Sequence, residues 1–119
     1  MPRRSQSPSA QAPASTSPDL ERIARFFAAL ADPTRLHLLH LLQSGERSVG
    51  ELTTATAVKQ AAVSKQLGIL RDHGLLARRR AGNHIYYSIA DEVVFTLCHA
   101  VCGKVERDAQ AALTAAQAG

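Results

Sequence analysis

Apolar positions recur with a helical period over most of this chain and with a strand period in one segment near its middle. In VKQAAVSKQLGILRDHG, from Val58 to Gly74, Val63, Leu67 and Leu70 fall at i, i+4 and i+7 and form one stripe, with Ile69 beside it. The other side of that helix carries Lys59, Gln60, Ala61, Ser64, Lys65 and Arg71. Gly74 stands where a helix ends in a left-handed residue, so the pattern predicts a stop there. Beyond it, Leu76, Arg78 and Arg80 alternate with Ala77 and Arg79, and Ile85, Tyr87 and Ile89 alternate with Tyr86 and Ser88. Ala81-Gly82-Asn83 supplies turn residues between the two runs, which predicts a hairpin. A hairpin this short is not stable by itself and must pack on the helices before it.

Upstream, the helix starts are marked by their caps. Ser17 before Pro18 and Asp19 suits an N-cap with proline at the first helical position, and Ile23, Phe26, Phe27 and Leu30 give the apolar face of a first helix. Asp32-Pro33 repeats the signal for a second helix carrying Leu36, Leu38, Leu39, Leu41 and Leu42 and ending near Gly45. Ser48 and Glu51 have capping-box spacing and open a short third helix through about Ala55, after which Thr56-Ala57-Val58 is a tight turn. Asp91 caps a last helix with Val94, Phe95, Leu97, Cys98, Val101, Cys102 and Val105 at apolar positions. The sequence therefore predicts a mainly α fold with one β-hairpin, a winged helix-turn-helix spanning residues 18–107. Residues 1–17, rich in Pro, Ser, Ala and Gln, read as a disordered tail, and the Ala-rich residues 108–119 as a C-terminal tail that continues the helix before fraying.

The chemistry of the exposed positions narrows the function. Gln60 and Ser64 can donate to and accept from base edges, and Ala61 is small enough to lie against a thymine methyl. Lys65 and Arg71 suit phosphates, as do Arg78, Arg79, Arg80 and His84 at the hairpin, and Lys59 and Asn83 are further candidate DNA contacts. Three consecutive arginines also serve as a solvated edge that discourages strand pairing. Their position behind an amphipathic helix with a polar leading face favours a phosphate-binding wing beside a helix that enters the major groove.

With 119 residues the chain is one small domain that gains from dimerisation, and its net charge of +4 favours a polyanionic partner. Aromatics make up 4% with no Trp, which disfavours base stacking on single strands. No apolar run reaches membrane-spanning length and no signal-peptide core is present, so a cytoplasmic location and no membrane partner are expected. No Ser/His/Asp set, phosphate-cradling glycine loop or paired acid in an apolar setting can be assembled, which argues against an enzyme.

ADPTRLHLLHLL (Ala31 to Leu42), VGEL (Val49 to Leu52), QAAVSKQLGILRDHGLL (Gln60 to Leu76) and RRRAGNHIYYSIAD (Arg78 to Asp91) resemble, in order and spacing, the ArsR/SmtB family of bacterial transcriptional repressors over about residues 20–107. The resemblance implies a homodimer whose first and last helices form the interface. It also implies binding to double-stranded DNA at an imperfect inverted repeat, and release by an inducer, usually a metal or metalloid ion. Family relatives often cap the reading helix with a hydroxyl residue where this chain has Lys59.

Of the two metal-ligand sets that the resemblance implies, neither is intact. Where one carries Cys-x-Cys on the third helix, this chain has Ser48, Val49 and Gly50, and of the other only Asp91 matches, with Val93, Lys104 and Arg107 at the remaining positions. What remains is Cys98 and Cys102, the only cysteines, four apart on one face of the last helix. Two copies meeting there would offer four thiols to zinc, cadmium, copper(I) or arsenic(III), and the same thiols could answer an oxidant or persulfide. Simple packing of two small apolar side chains is the alternative, as is, for the whole domain, a winged helix that binds protein. His37 and His40 read as solvent-facing, and His73 as a complement to the helix dipole.

Overall fold

The structure, a computed structural model, describes residues 17–118. The tail expected over 1–17 lies, apart from Ser17, outside the described residues.

A first unit, through Ala31, contributes one helix, α1 (Leu20–Leu30). Its cap is Asp19 rather than the expected Ser17: the Asp19 carboxylate accepts from the Arg22 N–H at 3.1 Å, a charge-assisted bond at the positive end of the helix. Phe26 and Phe27 meet edge to face within it, while Leu20, Ile23 and Phe27 remain largely exposed.

The second unit runs α2 (Pro33–Leu42), β1 (Arg47–Ser48), α3 (Val49–Thr56), α4 (Gln60–Asp72), β2 (Leu76–Ala81), β3 (His84–Ile89) and α5 (Val93–Ala118). The caps expected at Asp32 and at the Ser48/Glu51 box are both formed. Asp32 accepts from the Arg35 N–H at 3.0 Å, and Ser48 and Glu51 exchange bonds of 3.1 and 2.8 Å. At α5 the Asp91 carboxylate accepts from the Val93 N–H. The turn between α3 and α4 passes through Ala57 at φ 57°, a left-handed conformation that strains any residue with a Cβ.

Leu38, Leu39 and Leu42 of α2, Leu52 of α3, Val63, Leu67 and Leu70 of α4, and Leu75 form the buried centre of this unit. Leu36, on the far side of α2, stays exposed. Arg35 on α2 donates to Gln66 on α4 at 2.7 Å, a polar tie between the two helices. The end of α4 is a Schellman motif: Leu75 N–H donates to the Leu70 carbonyl, Gly74 N–H to the Arg71 carbonyl, and Gly74 takes φ 74°. Leu70 and Leu75, both buried, then turn the chain into β2.

The sheet has three strands in the order β1-β3-β2, all antiparallel. The hairpin expected from alternation is present, closed by Ala81 opposite His84 with Gly82-Asn83 between them and Gly82 at φ 61°. β1 is an addition to the sequence reading: two residues are too few to show alternation. It pairs Arg47 with Tyr87 and Ser48 with Tyr86, and so supports only part of β3. Helix α5 continues unbroken to Ala118, past residue 107.

Candidate nucleic-acid interface

Burial of Val63, Leu67 and Leu70 at 0% exposure fixes the rotation of α4, and the opposite face follows from the helical period. Lys59, Gln60, Ala61, Ser64, Lys65 and Arg71 are all exposed. Among the described residues none of the polar side chains in that set has an internal hydrogen bond or ion pair. Lys59, at the N-cap, makes no side-chain capping bond. The first turn of α4 is thus left without a side-chain cap.

Two clefts organise the residues that the sequence singled out. One, of about 240 Å³, lies between the start of α3, the first turns of α4 and the hairpin tip, and is lined by Ser48, Val49, Gly50, Gln60, Ser64, Asn83, His84 and Ile85. It brings Gln60 and Ser64 together with Asn83 and His84, residues some twenty positions away in sequence. The other, of about 230 Å³, is lined by Arg71, Arg78, Arg79, Arg80 and Ile85. Lys59, Ala61 and Lys65 line neither cleft and stand on the open face of α4.

The three wing arginines differ in what they hold. Arg79 forms a fork with Glu46, Nε and one terminal nitrogen each 2.7 Å from a carboxylate oxygen, and its guanidinium carbon lies 4.7 Å from the centre of the Tyr86 ring. The hydrogen bond from Arg79 holds the Glu46 carboxyl below the usual carboxylate range, and Glu46 in turn raises Arg79. Arg78 and Arg80, among the described residues, have no such partner. Glu46 was not singled out by sequence reasoning. It lies 33 residues from Arg79 in a Ser-Gly-Glu turn, and nothing local signals the pairing.

On α5, Cys98 and Cys102 are free thiols, the first half-buried and the second exposed. Burial pushes the Cys98 thiol up, and the neighbouring Cys102 adds to the shift. They share a stripe with Val101 and Val105, which are 58% and 59% exposed. Among the described residues no three His, Cys, Asp or Glu side chains converge as a metal site. Two sulfurs in one protomer do not complete a three- or four-donor set. Lys104 pairs with Asp108 one turn further on. His37 and His40 are exposed, and no described helix is long and apolar enough to cross a membrane.

A helix–turn–helix followed by a sheet whose hairpin flanks the second helix defines a winged helix-turn-helix domain. The family profile described as bacterial regulatory protein, arsR family, matches residues 32–78, from α2 into β2. The sequence is 43% identical over 86 residues to a transcriptional repressor SmtB homolog of Synechocystis, covering 72% of this chain and 65% of that protein. It is 44% identical over 82 residues to a probable mercury resistance operon repressor of Streptomyces lividans, covering 69% of this chain and 64% of the relative. The chain thus spans a little under two thirds of either relative. Among solved structures, a homodimeric winged helix-turn-helix DNA-binding domain of Mycobacterium bovis, a possible ArsR-family transcriptional regulator, matches with a TM-score of 0.67 and 36% identity, over 78% of this chain and 91% of that one. This chain belongs to the ArsR family, whose members are regulatory proteins rather than enzymes.

Proposed function

We propose that this protein is a cytoplasmic, homodimeric repressor that binds an inverted-repeat operator in double-stranded DNA and leaves it when an inducer binds. The observation that carries the reading is the unpartnered polar face of α4, held in place by a fully buried stripe and flanked by a basic wing. Gln60, Ala61 and Ser64 read base edges in the major groove. Lys59, Lys65, Arg71, Arg78 and Arg80 hold phosphates, with Asn83 and His84 at the wing tip. Two copies cover the exposed apolar side chains Leu20, Ile23 and Phe27 of α1 and Val101, Val105 and Leu113 of α5.

The inducer acts at Cys98 and Cys102, where two protomers supply up to four thiolates to a soft ion such as zinc, cadmium, copper(I) or arsenic(III). The name of the Streptomyces relative points the same way. Inducer binding lowers DNA affinity only by as much as it prefers the DNA-free form of the dimer.

The test is a titration of the purified dimer against duplexes from its own genomic neighbourhood, at several salt concentrations, followed by soft metals, arsenite, peroxide and persulfide. Duplex affinity falls steeply with salt if lysines and arginines displace counterions. A winged helix that binds protein instead shows little salt-sensitive duplex binding. Gln60→Ala and Ser64→Ala each relax operator discrimination by about 1–3 kcal/mol per lost base contact, and unchanged discrimination removes them from the reading set. A Cys98→Ser/Cys102→Ser protein that still responds to every inducer leaves the thiols as packing.

A further inference from the structure

The wing is a soft element. β1 supports β3 only at Tyr86 and Tyr87, and beyond Tyr86 the pairs Arg80–Ile85 and Ala81–His84 belong to a two-stranded ribbon ending in a two-residue loop. Arg79 stands opposite Tyr86, at the last position that the third strand supports. From there its side chain crosses the Tyr86 ring and reaches Glu46, the residue immediately before β1.

The anchor at the far end is itself fixed. Arg47 donates through Nε to the Leu41 carbonyl and through a terminal nitrogen to the Ser44 hydroxyl, each at 3.1 Å. Ser44 donates to the same Leu41 carbonyl at 3.0 Å, and Gly45 N–H donates to the Leu42 carbonyl. The turn that presents Glu46 is thus tied to the end of α2, whose Leu38, Leu39 and Leu42 are in the core under α4. Strand alternation sends Arg78 and Arg80 to the face opposite Arg79; all three line the cleft that includes Arg71 and Ile85, and of the three only Arg79 is paired with a carboxylate.

We propose that Glu46, Arg79 and Tyr86 form a latch that sets the angle of the wing relative to α2 and α4. Arg79 is then a positioning residue, and contact with phosphate falls to Arg78, Arg80 and Arg71. This assignment rests on the duplex-binding reading above. A latch and a direct phosphate contact differ in sign. If Glu46 merely masked a phosphate-binding Arg79, removing its charge would free a cation, tighten duplex binding and steepen its salt dependence. If Glu46 anchors the wing, removing its charge loosens the tip and weakens binding without changing the number of phosphates neutralised.

The experiment compares wild type, Glu46→Gln, Arg79→Glu, the exchanged pair Glu46→Arg/Arg79→Glu, and Arg80→Ala. Duplex affinity is measured across a salt series, with the DNA-free proteins followed by the NMR signals of the Tyr86 ring. Glu46→Gln is expected to weaken duplex binding by about two- to fivefold, the range of an exposed ion pair, with an unchanged salt slope. Arg80→Ala is expected to flatten the slope by about one phosphate. Arg79→Glu loses binding and the exchanged pair, with the same net charge as wild type, regains most of it. Without DNA, the Tyr86 signals shift in Glu46→Gln and stay in place in Arg80→Ala. Tighter binding with a steeper slope in Glu46→Gln, no recovery in the exchanged pair, or unmoved Tyr86 signals each overturns the latch. Wild-type protein indifferent to all duplexes instead overturns the duplex reading, and the Tyr86 signals still decide whether the contact exists.

Discussion

Helix α4 and helix α5 are built on opposite terms. Three of the thirteen residues of α4 have no exposed surface, and they settle which way every other side chain of that helix faces. In α5, twenty-six residues long, only Val94 is buried, and Val101, Val105 and Leu113 are all more than half exposed. The polar face of α4 is thus set within a single copy of the chain. The long helix carries an apolar stripe that is exposed among the described residues, and both cysteines lie in it. Under the function proposed above, this division assigns α4 to DNA and leaves the stripe of α5 to a second copy and to the inducer.

The largest effect separates the two helices by what each loses. Leu67→Ala empties a fully buried position and is expected to cost about 2–5 kcal/mol of unfolding free energy, read by denaturant titration at high protein concentration. Val105→Asp, by contrast, leaves the α4 core untouched. Its effect is on assembly, raising the dissociation constant of the dimer by about tenfold or more, measured by sedimentation equilibrium. A Val105→Asp protein that dimerises as wild type would remove α5 from the interface.

A smaller effect concerns the turn that sets α4. Ala57 is held at φ 57°, so Ala57→Gly relieves the strain and is expected to stabilise the domain by about 0.5–1 kcal/mol. A lower denaturation midpoint would mean that the extra chain freedom of glycine outweighs the relief. Last comes acid. Hydrogen bonds from Ser48 lower the Glu51 carboxyl and the bond from Arg79 lowers that of Glu46, so both are depressed from 4.5 in the folded state. Their contribution to stability is therefore present above that value and is lost as pH falls below it. Both groups are exposed, so the expected change is slight. Glu51→Gln should flatten the acid limb of the stability profile.

The helices were legible because their signals are local. Asp32-Pro33, the Ser48/Glu51 box and Gly74 each act within a few residues of themselves, and the stripe Val63-Leu67-Leu70 states the buried side of α4 directly. The one displaced cap, Asp19 in place of Ser17, lies two residues further along, where the carboxylate reaches the Arg22 N–H. Strand β1 was not legible, since a two-residue strand exists only because β3 lies beside it. The cysteine pair was found by spacing, but the raised Cys98 thiol depends on burial that spacing does not encode.

The order of residues alone determined the periodicities, the caps and the turns, and through them the winged helix-turn-helix and the identity of its polar face. Tertiary structure alone decided how those exposed residues are grouped. Gln60 and Ser64 share a cleft with Asn83 and His84, and of three adjacent arginines one is taken by a carboxylate 33 positions away. The physical reason is range. Helix and turn preferences are satisfied by neighbours along the chain, whereas an ion pair across a sheet depends on which strands the buried leucines bring side by side.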